Sequence, residues 1–461
     1  MQISRIVDRK FLIRNGGSVI NHRARRFCLD ALEAALRSID PTNVLQGWLR
    51  VERVMLQIGD VSVPFRSKVK VIAVGKASVP MLTAALNILG KRVISGILVS
   101  PRNSNLKSTD KRIVTFHSSH PLPDEEGIRA SRSVLASVGE MQANEVLLCL
   151  ISGGASAMLP APTADITLED KRKVTQQLIQ SQAAIHQINT VRRHLSELKG
   201  GRLVEHCKAG TIISLIISDV SGNVLSDIAS GLTAADPTTF RNAIDVLKEF
   251  NLWDSTPQRI RNHLQQGVMG NIPETPKPGN RIFRKVHNFV VADNRTACEA
   301  ARMSLQKLHI PTTIITSSVD MEARSLGKLL ACVARDSGQF GQSLKGPSAL
   351  VFGGETTVEV KGTGKGGRNQ ETALSTAESL EGLKGVAIAA LGTDGIDGNS
   401  PAAGAIVDSH SIVRARQLRL RVSDFAERSD SYNFFRKLND NIVTGPTGTN
   451  VGDLYLLIRA K

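Results

Sequence analysis

The feature that most constrains the fold is an alternation of short apolar runs, rich in β-branched residues, with longer amphipathic stretches. The runs have the length of buried strands, and the stretches have helical spacing. Such alternation is typical of βαβ units around a mostly parallel sheet, so the sequence predicts an α/β protein. The candidate strands lie at residues 69–74, 94–99, 112–116, 146–151, 211–217, 288–292, 312–316, 349–352, 356–360, 386–391 and 454–458.

The length of the chain and one segment rich in glycine and proline predict two domains. A chain of 461 residues is longer than one ordinary hydrophobic core supports. Residues 266–285 contain repeated glycine and proline without periodicity, which is typical of an interdomain linker. We therefore expect an N-terminal domain over residues 23–265 and a C-terminal domain over residues 286–461.

Residues 1–22 form a basic N-terminal extension. Between residues 1 and 26 arginine and lysine recur, and Asp8 is the only acid. This composition is typical of a mitochondrial targeting segment, and a disordered basic start would look the same. The compartment that we expect is therefore cytoplasmic or mitochondrial.

The bulk composition argues against several classes of protein. No apolar stretch approaches the ~18 residues of a membrane-spanning helix, so we expect no membrane partner. The five scattered cysteines form no C-x-x-C pair, which argues against a disulfide framework or a zinc site. The formal net charge of +16 invites a nucleic-acid interpretation, but basic and aromatic residues are not interleaved. We expect no nucleic-acid partner and instead electrostatic steering of anionic substrates, with the oligomeric state left open.

The apolar run at 69–74 ends in Gly75 and Lys76. A P-loop would need glycine at position 70 and serine or threonine at position 77, whereas the chain has Lys70 and Ala77. A lysine at the carboxyl end of a parallel strand nevertheless lies where α/β folds bind ligands. Its ammonium can neutralise phosphate charge in a transition state, which makes Lys76 a candidate catalytic residue.

Two glycine-rich loops offer phosphate contacts. The loop after 146–151 lets phosphate oxygens approach the backbone. Its candidate nucleotide-binding residues are Ser152, Gly153, Gly154, Ala155 and Ser156. The loop at 362–367 leads into Arg368, whose guanidinium can bridge charge that develops between a phosphate donor and its acceptor. Arg368 is therefore the second candidate catalytic residue.

Carboxylates and guanidiniums elsewhere complete the candidate site. Asp394 lies in the glycine-rich segment 392–398, and Asp219 follows the run at 211–217. Both carboxylates suit Mg²⁺, and Asp219 is also suited to accept a substrate proton. The segment 189–194 offers an amide and guanidiniums to an anionic substrate. The candidate substrate-binding residues there are Asn189, Arg192 and Arg193.

Taken together, these segments resemble the glycerate kinases that carry a C-terminal MOFRL domain, which are unrelated to P-loop kinases. The match runs in order through nearly the whole chain from about residue 23. Its motifs are VGKAS (74–78), HPLPDE (120–125), LISGGASAMLPAP (150–162), INTVRRHLSELKGGRL (188–203), ISDV (217–220), IASG (228–231), GGETTVEVKGTGKGGRNQE (353–371), GTDGIDG (392–398), SYNFF (431–435) and TGPTGTNVGDL (444–454).

The resemblance implies ATP-dependent and Mg²⁺-dependent phosphorylation of D-glycerate, in this class usually to 2-phosphoglycerate. It also implies a Rossmann-like N-terminal domain, a smaller α/β C-terminal domain and an active site in the cleft between them. The family's catalytic lysine and arginine fall on Lys76 and Arg368, and its glycine loop falls on residues 152–157.

The chain departs from the usual family pattern at several positions. Ala155 stands where a third glycine is usual, Leu232 replaces a proline, and Asn223 and Ala402 stand where acids are usual. The missing acids leave open a catalytically weakened paralogue that only binds nucleotide. Hydroxypyruvate reduction is another alternative for a Rossmann-like fold, although no G-x-G-x-x-G follows the early strands.

Overall fold

The computed structural model describes residues 4–64, 66–102, 108–163, 165–339 and 346–461. These residues form two compact units. The internal unit is Pro41–Val291, and the terminal unit combines Met1–Asp40 with Ala292–Lys461. Each unit has its own six-stranded sheet, which confirms the predicted two-domain α/β fold class.

Strands and helices alternate along most of the chain. The strands are β1 (Leu49–Val51), β2 (Met55–Ile58), β3 (Val61–Pro64), β4 (Val69–Val74), β5 (Val93–Pro101), β6 (Ile113–Ser118), β7 (Val146–Ser152), β8 (Thr211–Ile217), β9 (Val286–Ala292), β10 (Thr312–Val319), β11 (Ser348–Gly354), β12 (Val386–Gly392), β13 (Gly404–Asp408), β14 (Asn441–Ile442) and β15 (Asp453–Arg459). The helices are α1 (Arg9–Arg14), α2 (Val19–Ser38), α3 (Pro41–Trp48), α4 (Ser78–Leu89), α5 (Glu125–Gly139), α6 (Ala155–Met158), α7 (Leu168–Gln180), α8 (Ile185–His194), α9 (Arg202–His206), α10 (Phe240–Glu249), α11 (Gln258–Val268), α12 (Asn294–Gln306), α13 (Ala323–Gln339), α14 (Arg368–Thr376), α15 (Ser409–Gln417), α16 (Val422–Glu427) and α17 (Ser431–Leu438). Within the described part of the chain, no helix is long and apolar enough to cross a membrane.

The internal unit is built on a parallel sheet with the order β6-β5-β4-β7-β8-β9. The central strands β4 and β7 run side by side, with Val69 opposite Val146 and Val74 opposite Ile151. Every residue of β7 is buried, which explains its uninterrupted apolar sequence, because helices cover both faces of a parallel sheet. Since β4, β7 and β8 are parallel neighbours, their carboxyl ends lie at one edge of the sheet.

Helices α7, α8, α10 and α11 form a second layer of the internal unit around their own apolar core. Phe240 lies at its centre, with its ring edge-on to the imidazoles of His194 and His263. This core fixes the position of α8, the helix that carries the predicted substrate-binding residues.

The terminal unit is built on a mixed sheet with the order β10-β11-β15-β12-β13-β14. Strands β10 and β11 are parallel, and the other neighbours are antiparallel. The central strand β15 begins at Asp453, which is paired with both Gly354 of β11 and Gly392 of β12. The start of β15 is therefore held on both sides by hydrogen-bonded strands.

The first 40 residues belong to the terminal unit, which differs from the predicted division of the chain. Helix α2 packs against α12 and β12, and its buried Arg25 forms ion pairs with Asp408 and Asp440. The described part of the basic extension packs onto the same unit, since Val7 N donates a hydrogen bond to Val443 O at 2.8 Å. That part of the extension is folded rather than disordered.

Residues 266–285, predicted to be a linker, lie within the internal unit. The hydroxyl of Thr275 donates to Asp236 at 2.9 Å, and the carbonyl of Pro276 accepts from the backbone N–H of Asp236 at 3.0 Å. The glycines and prolines therefore mark a packed irregular segment, and the chain passes from one unit to the other between Val291 and Ala292.

The strand predicted at 356–360 is wrong. Thr357 makes only an isolated bridge with Glu322, and Val360 is exposed. Of residues 356–360 only Thr356 is buried, so the segment lacks the continuous buried face with which a strand packs against a core.

Candidate active site

Two backbone turns interlock at the carboxyl ends of β4 and β7. Gly75 has a φ of +113°, and a Cβ built on it would lie 2.4 Å from the carbonyl oxygen of Ser152. The backbone N–H of Lys76 donates to Gly153 O at 2.9 Å, and that of Ala77 donates to the hydroxyl of Ser152 at 2.9 Å. The predicted catalytic lysine and the predicted glycine loop are therefore neighbours, and the side chain of Lys76 is exposed.

The glycine loop is contacted on both sides by polar side chains. A Cβ on Gly153 would lie 1.9 Å from a carboxylate oxygen of Asp219, so this carboxylate lies directly against the loop. A Cβ on Gly154, which has a φ of +87°, would lie 3.1 Å from the imidazole of His120. The structure thus brings predicted residues from the ends of β4, β7 and β8 together and adds a histidine.

A cluster of positive charge surrounds this histidine. Burial, together with the nearby cations Lys76 and Arg192, lowers the pKa of His120 to about 4, even though the residue as a whole remains exposed. Burial also lowers the pKa of Arg192 to about 10. Within the described part of the chain, Arg192 makes no hydrogen bond and no ion pair. A desolvated guanidinium of this kind favours an anion as its partner.

Two buried lysines hold the segment that follows the glycine loop. The ammonium of Lys199 donates to the carbonyls of Ser156 and Leu159, each at 2.8 Å. Lys171 donates to the carbonyls of Pro160 and Leu195. Burial lowers the pKa of both lysines, that of Lys171 to about 7. The positive charge of nearby Arg192 contributes to both shifts.

Asn189 and Arg193 lie inside the internal unit and are occupied by protein groups. Asn189 accepts from the hydroxyl of Ser230 at 2.8 Å, and Ser230 bonds to Ser156 of the loop at 2.7 Å. Arg193 is 2% exposed and forms ion pairs with Asp227 at 3.2 Å and with Asp236 at 2.9 Å. Direct contact of these two residues with a substrate stays a prediction, and the geometry favours a supporting role.

In the terminal unit, Arg368 opens helix α14 and is held by two carboxylates. Its Nε and Nη2 donate to the two carboxylate oxygens of Asp453, at 2.6 and 3.1 Å, and its Nη1 donates to Glu355. Burial alone would lower the pKa of Arg368, but these two acids raise it above its usual value. Arg368 therefore carries a fixed positive charge.

The two aspartates of the segment 392–398 have different environments. Asp394 is half-buried and accepts from the backbone N–H of Ile396 at 3.1 Å. Asp397 is buried and accepts from the N–H groups of Asn369 and Gln370, at 3.0 and 2.8 Å, which satisfies the start of α14. Asp397 therefore serves as a cap for the helix of Arg368, whereas Asp394 stays a predicted metal ligand.

Several residues of the site were missed from the sequence. His120 lies in the motif HPLPDE, and that motif was the signal that could have found it. Asp453 lies in the motif TGPTGTNVGDL and was given no role. Lys171 lies on the amphipathic helix α7, where a lysine is usually solvated, and Lys199 lies in the motif INTVRRHLSELKGGRL but was given no role.

Comparisons with known proteins identify the family of the chain. Residues 27–265 match the family described as "Domain of unknown function (DUF4147)", and residues 348–453 match the MOFRL family. A glycerate 2-kinase from Pyrococcus horikoshii is 37% identical over 94% of this chain and 97% of its own length. A D-glycerate 2-kinase from Thermotoga maritima is 37% identical over 84% of this chain and 90% of its own length.

A crystal structure of glycerate kinase from Thermotoga maritima matches with a TM-score of 0.84 at 34% identity, covering 94% of this chain and 99% of that chain. A chain from Agrobacterium vitis named "Putative hydroxypyruvate reductase" is also 37% identical, over 85% of this chain and 87% of its own length. The relatives therefore share one fold and carry two kinds of name. The chain belongs to the family of glycerate kinases built from a DUF4147 domain and a MOFRL domain.

Proposed function

We propose that this chain transfers the γ-phosphoryl group of ATP to the 2-hydroxyl of D-glycerate, giving 2-phosphoglycerate and ADP. The observation that carries the proposal is the arrangement around the glycine loop, where Lys76 and Arg192 provide positive charge beside the loop that carries Gly153 and Gly154. Both the donor phosphates and the carboxylate of glycerate are anions that such a site would bind. The names of the relatives supply the identity of the acceptor.

The ATP phosphates would lie on the loop of Ser152–Ser156, with the ammonium of Lys76 beside the γ-phosphate. The interlocked turns support this role, because they present the loop and the lysine from neighbouring strand ends. Backbone of this kind lets phosphate oxygens approach closely, and the lysine neutralises charge that accumulates on the transferring group.

Magnesium fits the internal unit through one carboxylate. Nowhere in the described chain do three His, Cys, Asp or Glu side chains gather into a metal cage. Mg²⁺, however, usually takes one or two carboxylates and completes its octahedron with water and phosphate oxygens. Asp219 lies against Gly153, where its negative charge would oppose the binding of phosphates. A divalent cation held by Asp219 would remove that repulsion and neutralise phosphate charge, and Asp394 remains a second proposed ligand.

The glycerate carboxylate would pair with Arg192. Of the two adjacent arginines, only Arg192 lacks a partner among the residues that the structure describes, whereas Arg193 is paired with two aspartates. A guanidinium–carboxylate pair fixes the acceptor at one end. The neutral imidazole of His120 would leave the local charge to Lys76 and Arg192.

The transfer step needs little from the protein beyond positioning and charge. The glycerate 2-oxygen forms a bond to the γ-phosphorus, the bond from that phosphorus to the β–γ bridging oxygen breaks, and the hydroxyl proton passes to water. We assign Lys76 and Arg368 to the stabilisation of the charge on the transferring group. The predicted cleft between the domains and the predicted compartment, cytoplasmic or mitochondrial, stay predictions.

The test is ADP release by the full-length chain from ATP and Mg²⁺, with and without D-glycerate, followed by identification of the phosphorylated product by ³¹P NMR. We expect release that depends on D-glycerate and yields 2-phosphoglycerate. ATP binding without such release would identify the weakened paralogue and direct attention to Asn223 and Ala402. Oxidation of NADH with hydroxypyruvate, which the name of the Agrobacterium relative motivates, would instead establish the reductase.

A further inference from the structure

One edge of the Arg368 guanidinium is fixed by a buried carboxylate. Both hydrogen bonds from Nε and Nη2 end on Asp453, whose side chain is 1% exposed, while the side chain of Arg368 is 30% exposed. Two parallel hydrogen bonds between a planar fork and a carboxylate fix orientation as well as distance. The plane of the guanidinium is therefore set from inside the terminal unit.

Asp453 is itself held in place by further donors. The hydroxyl of Tyr455 donates to Oδ2 at 3.0 Å, and the side-chain amide of Asn369 donates to Oδ1 at 3.1 Å. Thr356 bonds to the Tyr455 hydroxyl at 2.9 Å, and it acts as the donor because the single proton of Tyr455 is used on Asp453. Asp453 thus accepts four hydrogen bonds at the start of the central strand β15.

The remaining side of Arg368 makes a more exposed contact. With Nε and Nη2 engaged by Asp453, the remaining nitrogen Nη1 points to Glu355, whose side chain is 53% exposed. A surface pair of this kind is weak and exchanges readily with solvent or with a competing anion. The buried pair is the permanent contact, and the exposed one is replaceable.

We propose that Asp453 is a positioning residue for phosphoryl transfer, which orients the guanidinium of Arg368 so that Nη1 faces the transferring group. Tyr455 and Thr356 extend the same support. The inference rests on the proposed catalytic role of Arg368. Displacement of a catalytic group by about 1 Å can cost on the order of 100-fold in rate, so loss of this support should lower turnover rather than substrate binding.

The test compares kcat and KM for Asp453→Asn with those of the unsubstituted chain. Asparagine keeps the shape but loses the charge and one of the two acceptor oxygens. We expect kcat to fall about 10- to 100-fold, with the KM values for ATP and D-glycerate within about threefold. Tyr455→Phe, which keeps the carboxylate and the ring packing, should lower kcat by a smaller factor in the same direction. If Asp453→Asn does not fold, the kcat of Tyr455→Phe provides the test.

Glu371→Gln is the matched control on the same helix. Glu371 is also a buried acid paired with an arginine, Arg324, at 2.6 Å, but its carboxylate forms no ion pair with Arg368. We expect it to lower the midpoint of thermal unfolding without the fall in kcat. If Arg368→Ala is inactive but Asp453→Asn and Tyr455→Phe have the same kcat as the unsubstituted chain, the inference is overturned. Normal turnover by Arg368→Ala would instead overturn the proposed role of Arg368 itself.

Discussion

Two adjacent residues on α8 show how burial and pairing separate a binding group from a structural one. Arg192 and Arg193 look equivalent in the sequence, and both were predicted to bind substrate. In the structure Arg193 is enclosed with Asp227 and Asp236, whereas Arg192 has no partner among the described residues and lowers the pKa of His120. The pattern of residues gave no means of distinguishing them, because the direction of a side chain depends on what packs around the helix.

Substitution of Arg192 should weaken substrate binding. For Arg192→Met we expect the KM for D-glycerate to rise about 10- to 100-fold, because a charge-assisted hydrogen bond contributes about 1.5–3 kcal/mol. The stability should be unchanged or higher, since the substitution removes a desolvated charge. Steady-state kinetics at saturating ATP measure the effect. An unchanged KM would exclude Arg192 as the carboxylate ligand.

The corresponding substitution of Arg193 should lower the stability of the folded chain. Arg193→Met leaves Asp227 and Asp236 without their shared cation, and breaking a buried pair in this way costs about 3–5 kcal/mol. Urea unfolding followed by circular dichroism measures the loss. If Arg193→Met instead raised the KM for glycerate and left the stability unchanged, the assignments of the two arginines would have to be exchanged.

A single buried acid should make the stability of the terminal unit depend on pH. Burial raises the pKa of Asp397 to about 7. Between the usual carboxyl pKa of ~3.9 and that value, the unfolded chain releases a proton that the folded chain keeps. The contribution of this group to the free energy of unfolding therefore falls as the pH rises through that window.

Asp397→Asn should remove this dependence, because asparagine cannot ionise and still offers an oxygen to the N–H groups that open α14. We expect the unsubstituted chain to lose stability relative to the variant between pH 5 and pH 8. Urea titrations of both proteins at the two pH values provide the measurement. Parallel pH profiles would show that Asp397 does not titrate in this range.

At the scale of elements, the glycine loop needs glycine at position 153 because the Asp219 carboxylate lies against it, not because the loop must be flexible. Gly153→Ala would place a methyl group 1.9 Å from the Asp219 carboxylate, so the loop or the strand end must move. We expect this variant to lose most of its kcat/KM for ATP. Ala155→Gly, which restores the usual family residue in the buried start of α6, should change stability by less than ~1 kcal/mol and leave kinetics intact. Equal ATP kinetics in both variants would show that phosphates do not bind at this loop.

The strands that the sequence predicted well are those that are buried on both faces of the sheet. The strands at 69–74 and 211–217 are recognisable in the sequence because burial on both faces leaves a mostly apolar run. The strand at 356–360 was predicted from composition alone and failed, because Val360 has no surface to cover. Lys76, Asp219 and the loop lie together in the structure because the carboxyl ends of the parallel neighbours β4, β7 and β8 meet at one edge of the sheet.

At the scale of the whole chain, the division into units could not be predicted. Residues 4–40 and 292–461 form one core, and no local pattern reports a partner several hundred residues away. Arg25 illustrates the point. In the sequence it belongs to a basic segment, yet in the structure it is fully buried and paired with Asp408 and Asp440. Its positive charge lowers the pKa of Asp440. A basic residue near the chain start therefore has a structural role that composition alone misrepresents.

The same reasoning gives a direct test of whether the basic extension is part of the fold. Leu12 in α1 is 2% exposed, and its carbonyl accepts from Arg25 at 2.9 Å, whereas the adjacent Phe11 is 50% exposed. We expect Leu12→Ala to cost about 2–4 kcal/mol of the free energy of unfolding, because it leaves a cavity in a packed core. Phe11→Ala should cost less than about 1 kcal/mol, although phenylalanine is the larger side chain. Urea unfolding of the two variants provides the measurement. Equal and small losses of stability would mean that the extension is dispensable. A loss confined to Leu12→Ala would mean that the terminal unit is completed only when the chain start is folded onto it.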